Sequence, residues 1–483
     1  MKKYVVSIDA GTTGLTILLF DKNLSVVHKE YTELVQYYPK PTWVEHDPVE
    51  LIKKIKFLFK NVIKHYSADS IASIGITNQR ESIVLWDKRT GQPIHNSIIW
   101  QCRRTKEYCK KIKAKNKLIF NKTGLYIDSY FSATKIKWIL ENIPKAQAVL
   151  NEDSLLCGTI DTWIIWNLTN KKMHLTEHTN ASRTLIYNIN TKKWDNDLLS
   201  LFKIPKKILP QVKKSIDNFG YYQDYNIPIN GVAGDQQAAL FGQGCFEKNS
   251  SKCTYGTGIF FLLNTGNKRI DSKNMLLTTL AIDKEGKPIY AIEGSIFIGG
   301  AIVQWLRDEL GIIKNANETD KIASSINDTN GVCIVPAFVG LGAPYWNSDC
   351  KGIITGLTRD SNRKHIIRAA LESIAFQVQD LLDCVSKDIK KPIKTLYVDG
   401  GATDNNFLMQ FQSDISNLEL LKPNNIESTS IGVAIMAGLK SKIWDNIEDA
   451  INNKKIETIY KPMMKPNTRN KKIRTWKNTI KKL

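Results

Sequence analysis

Residues 4–14 read YVVSIDAGTTG, a strand followed by a glycine- and threonine-rich turn. The apolar run 4–8 is typical of a buried strand, and the carboxylate Asp9 follows it. A second apolar run, 16–20, comes directly after the turn. Backbone N–H groups and two hydroxyls at the tip of such a hairpin suit an anion, and Asp9 suits a hydrated Mg²⁺ beside that anion. An ordinary hairpin with a glycine turn is the alternative.

A second stretch of the chain repeats this pattern. Residues 252–263 read KCTYGTGIFFLL, again a strand, a Gly-Thr-Gly turn and a strand. Two such hairpins in one chain favour the anion-binding interpretation over the ordinary hairpin. They predict two similar lobes that face one polyphosphate.

The bulk composition fits a soluble globular protein. The 483 residues suffice for two or three domains, and 42% are hydrophobic while 24% are charged. We find no apolar run long enough to cross a bilayer and no signal peptide, so we expect no membrane insertion. The eight cysteines are scattered, which argues against a zinc site or a disulfide framework. We therefore expect a cytoplasmic protein.

The formal net charge of +21 is the one unusual bulk property. Such a charge is compatible with nucleic-acid binding, but the lysines are spread along the chain and aromatic residues do not alternate with them. The densest basic cluster lies in residues 469–482. We expect no nucleic-acid partner, although a basic surface attracts nucleotides and phosphates at low salt.

Three further stretches place polar residues or glycines at the end of a predicted strand. The strand 71–77 precedes Asn-Gln-Arg-Glu at 78–81, a predicted strand ending at 234 precedes Asp235, and the strand near 396 precedes a Gly-Gly pair. Strand ends of this kind carry sites in α/β proteins, and paired glycines allow a close approach to a ligand. Each stretch also has an alternative interpretation without a ligand. Residues 78–81 would be a solvated loop, Asp235 would be a simple helix N-cap, and the Gly-Gly pair would be an ordinary turn.

The remaining periodicity predicts mainly helices. We expect helices at 48–67, 104–113, 133–141, 366–385 and 432–439, a helix after Gly300, and strands at 24–31 and 331–338. For residues 155–168 the pattern does not distinguish a helix from a strand.

Taken together, these segments resemble the glycerol kinases of the FGGY carbohydrate-kinase family over nearly the full length. Besides the two hairpins, the matching segments are 43–48, 75–81, 100–104, 130–135, 158–163, 180–184, 234–237, 255–258, 338–346 and 399–402. The resemblance implies an α/β fold with two actin/hexokinase/Hsp70-like (ribonuclease H-like) domains and a nucleotide cleft between them. It implies an N-terminal domain over 1–243 with the glycerol site and a C-terminal domain over 244–483 with the adenosine site.

The same resemblance implies an activity, the ATP-dependent phosphorylation of glycerol to sn-glycerol 3-phosphate, the first step of glycerol use. Asp235 would be the general base, and the other implied glycerol contacts are Arg80, Glu81, Tyr130 and Gln236 for the hydroxyls and Trp100 and Phe260 for the carbon backbone. Thr12, Thr13, Gly14 and Thr257 would cradle the phosphates of ATP, and Gly300, Gln304, Gly401 and Asn405 would line the adenosine side. Asp9 would hold Mg²⁺ through water.

The chain also departs from the family pattern. Members usually read Asp-Gln-Gly-Thr-Thr-Ser-Ser-Arg at the first hairpin, whereas this chain has Ala10, Gly14, Leu15 and Thr16 at the changed positions. The missing Arg is expected to touch phosphate, and its loss would cost about 1–3 kcal/mol of charge-assisted bonding. We therefore hypothesise that Thr16→Arg raises turnover. Residues 221–230 are short and lack the Gly-rich, Arg-bearing loop of some bacterial members, so we predict no inhibition by a sugar bisphosphate.

Two alternatives stay open at this point. One is a kinase of the same fold for another polyol or sugar. Arg80, Glu81 and Gln236 argue against it, because they favour a small triol. The other is a non-catalytic binding protein, which the basic charge and the altered hairpin suggest. The intact Asp9, Asp235 and Thr257 argue against it. Relatives often form dimers or tetramers, so we expect a homo-oligomer with glycerol and ATP as its ligands.

Overall fold

A computed structural model describes residues 2–347, 349–452 and 455–483. Its contacts divide the chain into two compact units. The first comprises Met1–Phe246, Thr278–Tyr290 and Ser428–Asn453, and the second comprises Glu247–Leu277, Ala291–Glu427 and Lys454–Leu483. Both units are therefore discontinuous in sequence, unlike the two continuous segments 1–243 and 244–483 that the sequence suggests.

The strands of the described residues lie throughout the chain. They are β1 Tyr4–Ala10, β2 Gly14–Phe20, β3 Val26–Glu33, β4 Glu45–His46, β5 Ile71–Asn78, β6 Ile83–Asp87, β7 Ser97–Ile98, β8 Leu155–Thr159, β9 Leu175–Glu177, β10 Tyr187–Asn188, β11 Lys193–Trp194, β12 Gln211–Lys213, β13 Tyr221–Tyr222, β14 Ile227–Gly234, β15 Ser251–Tyr255, β16 Ile259–Gly266, β17 Leu277–Ile282, β18 Pro288–Ile296, β19 Cys333–Val335, β20 Ile353–Thr355, β21 Thr395–Asp399, β22 Glu419–Pro423 and β23 Ile456–Tyr460.

The α-helices of the same residues range from a single turn to the long α12. They are α1 Pro48–His65, α2 Lys106–Lys111, α3 Asn116–Thr123, α4 Ser132–Asn142, α5 Pro144–Asn151, α6 Ile160–Leu168, α7 His178–Ala181, α8 Asn196–Phe202, α9 Asp235–Gly242, α10 Ala301–Asp308, α11 Glu318–Ser324, α12 Arg363–Ile389, α13 Asn406–Ser416, α14 Ser428–Lys440, α15 Ile447–Ile451 and α16 Pro466–Ile480. None of the described helices is long and apolar enough to cross a membrane.

The first unit is built on a mixed sheet in the order β13-β14-β5-β1-β2-β3. The hairpin β1–β2 and the pair β2–β3 are antiparallel, whereas β1, β5 and β14 run parallel to one another. Strand β5 is buried along its whole length, because helices cover both faces of the sheet. Helices α1 and α6 pack on one face, and α9 and α14 pack on the other.

Small residues bring α14 close to its neighbours in this unit. A Cβ atom at Gly432 would lie 2.0 Å from the carbonyl oxygen of Ala238 in α9, and one at Gly75 would lie 2.3 Å from the carbonyl oxygen of Val433. Neither position has room for a side chain, since backbone atoms fill the space. The run of small residues predicted as a helix at 432–439 is therefore a packing surface.

The second unit contains strands in the order β16-β15-β21-β22-β23. Its pairings are antiparallel, parallel, parallel and antiparallel in that order. The strands β2-β1-β5-β14-β13 of the first unit have the same sequence of pairings. The repetition predicted from the two hairpins thus extends to the strands around each hairpin.

The basic C-terminal segment forms α16, which packs on the long helix α12. Lys472 contacts Glu372 at 3.1 Å, and Lys477 contacts Asp383 at 3.0 Å. The buried Trp476 donates from Nε1 to Asp380 at 2.6 Å. Part of the basic cluster at 469–482 is therefore paired with carboxylates of the same unit.

Most sequence-based elements agree with the structure, with a few differences in bounds. Residues 155–168 form a strand followed by a helix, and the strand expected at 331–338 covers only Cys333–Val335. The helix expected at 104–113 is confined to Lys106–Lys111. Asp235 is the first residue of α9, and Gly234 occupies the N-cap position, so the alternative of a helix N-cap at Asp235 is wrong.

Candidate active site

The first hairpin presents a tight turn between β1 and β2. The Gly11 N–H donates to the carbonyl of Gly14 at 3.0 Å, which closes the turn. Thr13 is exposed, while Asp9 and Thr12 are partly buried. The turn therefore combines a reachable hydroxyl with a carboxylate in the preceding strand.

Side chains from distant parts of the first unit hold this turn in place. Gln79 donates from Nε2 to the Gly11 carbonyl at 3.1 Å, and Gln36 reaches the Thr12 carbonyl at 3.4 Å. The Trp100 indole donates from Nε1 to Thr12 Oγ1 at 2.8 Å. Because an indole N–H can only donate, the Thr12 hydroxyl accepts here and directs its own proton elsewhere.

A buried histidine extends the network below the turn. His46 Nδ1 lies 3.1 Å from Gln79 Nε2. Burial lowers the pKa of His46 to about 4, so its ring is neutral and adds no charge under the turn. Gln79 also accepts from Ser82 Oγ at 2.9 Å, which joins the turn to the end of β5.

Two of the departures from the family pattern, Gly14 and Thr16, lie beside the same residue of β3, Tyr31. Thr16 lies opposite Tyr31 in the antiparallel register. A Cβ atom at Gly14 would lie 2.4 Å from a ring carbon of Tyr31 and 2.6 Å from its hydroxyl oxygen. The Tyr31 ring thus fills the space that a side chain at position 14 would need.

The predicted general base and two predicted substrate contacts come together at adjacent strand ends. Strands β5 and β14 are parallel neighbours, with Asn78 opposite Gly234. Arg80 and Glu81 follow the first strand, and Asp235 follows the second. Arg80 Nε lies 3.1 Å from Asp235 Oδ1, as expected for residues at the carboxyl edge of a parallel sheet.

Exposure differs sharply within this cluster. The side chains of Arg80 and Glu81 are only 1% and 2% exposed, whereas that of Asp235 is 27% exposed. Asp235 Oδ1 also accepts from the backbone N–H of Gln236 at 2.7 Å, and the Gln236 side chain is buried. Of these charged groups, the Asp235 carboxylate is therefore the most accessible to a ligand.

Glu81 is held by a second arginine, which the sequence-based site did not include. The fully buried Arg183 donates from Nε to Glu81 Oε1 at 2.6 Å. Arg80 Nε lies 3.9 Å from the same oxygen. Arg183 and Arg80 thus both face the buried Glu81 carboxylate, which compensates the cost of removing its charge from water, and Arg80 also pairs with the more exposed Asp235.

The aromatic residues of the predicted glycerol site also belong to the first unit, with one exception. The rings of Trp100 and Tyr130 meet edge to face, with centroids 5.7 Å apart. Tyr130 is buried and Trp100 is partly buried. Phe260 lies in β16 of the second unit and is partly buried.

A buried lysine lies under this part of the site. Lys135 Nζ donates to the carbonyl of Tyr130 at 2.6 Å and to the carbonyl of Glu81 at 3.2 Å. Burial lowers the pKa of Lys135 to about 7, against the opposing effect of Glu81. The sequence places Lys135 in a segment that resembles the family, but it does not indicate a role for this lysine.

A second network, around Glu177, supports both strand ends. The Glu177 carboxylate accepts from the backbone N–H groups of Thr179 and Asn180, at 2.6 Å each. Asn180 bonds in turn to the amide of Asn78 at 3.0 Å, and Thr179 Oγ1 accepts from the Gly234 N–H at 2.9 Å. Glu177 had no distinguishing signal in the sequence, because neither its spacing nor its neighbours suggest burial.

The five predicted nucleotide contacts of the second unit surround one cavity. Its volume is about 490 Å³, and its lining includes Thr257, Gly300, Gln304, Gly401 and Asn405. Val303, Leu371, Ile374 and Leu408 add apolar wall, while Arg307 and Asp320 add charge. A cavity that combines apolar walls with several polar groups suits a flat aromatic base with polar substituents.

The carboxylate predicted to hold a metal, Asp9, does not belong to a cluster of metal-ligating side chains among the described residues. Over the described residues, no three His, Cys, Asp or Glu side chains lie close enough together to form a metal site. Mg²⁺ is usually bound through one or two carboxylates together with substrate phosphates and water. Asp9, half-buried beside the threonine turn, fits that mode of binding.

Comparisons with known proteins show what the chain is similar to. The model of the FGGY family of carbohydrate kinases, N-terminal domain, matches residues 4–242, and that of the C-terminal domain matches residues 251–441. The chain is 50% identical to the glycerol kinase of Clostridium botulinum, over 100% of this chain and 98% of the relative. It is 48% identical to the glycerol kinase of Shewanella oneidensis, over 99% of both chains. A crystal structure of Plasmodium falciparum glycerol kinase with ADP superposes with a TM-score of 0.91 at 38% identity, covering 99% of this chain and 98% of that one.

Proposed function

This chain belongs to the FGGY family of carbohydrate kinases, and on that premise we propose that it transfers the γ-phosphoryl group of ATP to glycerol. The product would be sn-glycerol 3-phosphate, and the reaction would be the first step of glycerol use. Curated relatives with half of their residues identical are glycerol kinases, and the solved relative from Plasmodium falciparum was crystallised with ADP. These similarities support both the acceptor and the nucleotide.

The observation that carries the proposal is the grouping of Arg80, Glu81 and Asp235 at the ends of two parallel strands. We propose that Asp235 accepts the proton from the terminal hydroxyl of glycerol as that oxygen attacks phosphorus. Its Oδ1 is bonded to Arg80 Nε at 3.1 Å and to the Gln236 N–H at 2.7 Å. The carboxylate is thereby fixed in direction while remaining 27% exposed, which suits a positioned general base.

Recognition of the triol follows from the same buried groups. Glycerol is uncharged, so its three hydroxyls need donors and acceptors rather than a counter-ion. We propose that Arg80, Glu81, Tyr130 and Gln236 contact these hydroxyls, while Trp100 and Phe260 pack on the carbon chain. Because Arg80 and Glu81 are almost completely buried, an analogue that lacks a hydroxyl would leave them unsatisfied and would bind weakly.

The nucleotide would be held by residues of both hairpins. We propose that Thr12, Thr13 and Gly14 contact the phosphates from the first unit and Thr257 from the second. The 490 Å³ cavity beside Thr257 would take the adenosine through Gly300, Gln304, Gly401 and Asn405. Asp9 would hold Mg²⁺ through water, and the ion when bound neutralises charge on the transferring phosphoryl group.

A glycerol-dependent ADP assay tests the reaction and the base together. Wild-type protein with Mg²⁺, ATP and glycerol should release ADP and form glycerol 3-phosphate. Asp235→Asn should lower kcat by about a hundredfold or more, with a smaller change in the KM for ATP. The matched control is Asp224→Asn, which changes a half-exposed carboxylate paired with Lys56 and should leave kcat unchanged.

The same assay separates the alternatives. Glycerol should be the best acceptor in a panel of polyols and pentuloses, and a pentulose that outperforms it would make the protein a kinase of the same family for another substrate. Absence of any acceptor-dependent ADP, together with tight nucleic-acid binding at physiological salt, would favour the non-catalytic alternative. We further propose a cytoplasmic homo-oligomer, which light scattering after gel filtration would test.

A further inference from the structure

A lysine with no assigned role lies directly behind the proposed glycerol site. Lys135 is fully buried, and its ammonium group bonds to the main chain at two places, the carbonyl of Tyr130 at 2.6 Å and that of Glu81 at 3.2 Å. A buried ammonium is costly unless it is hydrogen-bonded. Its position therefore needs a reason beyond packing, since an apolar side chain of similar length would fill the same volume.

The two carbonyls belong to two of the proposed glycerol contacts. Glu81 comes from the turn after β5, and Tyr130 comes from the segment before α4. These segments are distant in sequence, and the single Nζ atom of Lys135 joins them. The lysine thus sets the relative position of a proposed polar contact and a proposed aromatic contact.

Glu81 also has an uncommon backbone conformation. Its φ is +61°, in the left-handed region that residues other than glycine rarely adopt. In this conformation the Glu81 carboxylate reaches Arg183 Nε at 2.6 Å. The carbonyl of the same residue accepts from Ser132 Oγ at 3.0 Å as well as from Lys135. Ser132 and Lys135, both near the start of α4, therefore hold Glu81 in its strained backbone conformation.

We propose that Lys135 is a positioning residue for the acceptor substrate, which fixes Glu81 and Tyr130 by holding their carbonyl oxygens. This inference rests on the proposed function, because it concerns the same acceptor site. Lys135 acts through its two partners and needs no contact with glycerol. Its loss should allow Glu81 to relax, so the effect should fall on glycerol binding and spare the nucleotide.

The test compares Lys135→Met, which keeps the length of the side chain and removes the donors, with Lys135→Gln, which keeps a donor. We expect Lys135→Met to raise the KM for glycerol by about ten- to a hundredfold, with the KM for ATP changed by less than about threefold. Lys135→Gln should recover part of the loss. Lys137→Met is the matched control on the same helix, because Lys137 pairs with Glu141 instead of the site, and it should leave both KM values unchanged.

The outcomes separate this inference from the proposed function. A wild-type protein without glycerol-dependent activity would overturn the function, whereas an active wild type with an unchanged glycerol KM in Lys135→Met would overturn the role of Lys135. Equal losses for glycerol and ATP in both variants, with a lowered melting temperature, would also overturn it in favour of a purely structural role. If neither variant folds, Ser132→Ala removes the second donor to the Glu81 carbonyl and should raise the glycerol KM alone, and an unchanged value would refute the proposal.

Discussion

The buried carboxylate of Glu177 makes the stability of the first unit depend on pH. Glu177 is completely buried, and this burial raises its pKa from an ordinary 4.5 to about 7. The hydrogen bonds donated by Thr179 and Asn180 act in the opposite direction. Burial is the larger effect because the carboxylate loses all of its solvation by water.

The sign of the dependence follows from proton binding. Between about 4.5 and 7 the folded protein keeps the proton on Glu177 while the unfolded chain releases it. The protonated carboxyl therefore contributes its full stabilisation below about pH 4.5, and this contribution is lost as pH rises through about 7. Between about pH 5 and pH 8 the loss amounts to roughly 2–3 kcal/mol for this one group.

Replacement of the carboxylate isolates this effect. Glu177→Gln removes the titration but places an amide N–H₂ among groups that donate to Glu177, so it should destabilise the protein at every pH. The difference in stability between wild type and Glu177→Gln should therefore shrink as pH rises, by roughly 2–3 kcal/mol between about pH 5 and pH 8. Other titrating groups cancel in this comparison because both proteins share them.

Thermal or urea unfolding at several pH values measures the difference. Ser215→Ala is the control, because it removes a donor to Glu177 at 2.9 Å and leaves the carboxylate in place. That variant should keep the fall in stability with rising pH. A constant difference between wild type and Glu177→Gln would refute the reasoning, and a difference that grows with pH would show that the donated hydrogen bonds outweigh burial.

Three further predictions concern the first hairpin and a missing loop. Thr16→Arg should raise kcat severalfold in coupled assays. The increase should be larger when Thr16→Arg is combined with Tyr31→Ala, because Tyr31 lies opposite Thr16. An unchanged or lower kcat in both the single and the double variant would contradict a phosphate-binding role for position 16. Trp100→Phe keeps the ring and removes the N–H that Thr12 Oγ1 accepts, so it should lower kcat/KM for ATP by about 3–10-fold. Its effect should not add to that of Thr12→Ala in a double-mutant cycle, and full additivity would show that the bond has no functional effect. A sugar bisphosphate should not inhibit the enzyme, since residues 221–230 form only the short hairpin of β13 and β14, and a dose-dependent inhibition curve would disprove this.

The local pattern of the sequence was sufficient for the elements that carry the site. Both hairpins, the strand that ends before Arg80 and the helix that follows Gly234 are formed as predicted. Each depends on short-range chemistry, because apolar runs form buried strands and glycines permit tight turns. The adjacency of Arg80 and Asp235 could also be expected, since parallel strands bring their carboxyl ends together.

Other features required the tertiary structure. Lys135 and Arg183 lie in segments that resemble the family, but their burial, like that of Glu177, is not evident from the local sequence of a chain with 68 basic and 47 acidic residues. Their burial arises only when segments far apart in the chain close around them. The assignment of Ser428–Asn453 to the first unit is of the same kind, because the close approach of Gly432 to Ala238 joins residues almost two hundred positions apart. Local propensity thus determined which elements form, and long-range packing decided which of their polar groups are buried together.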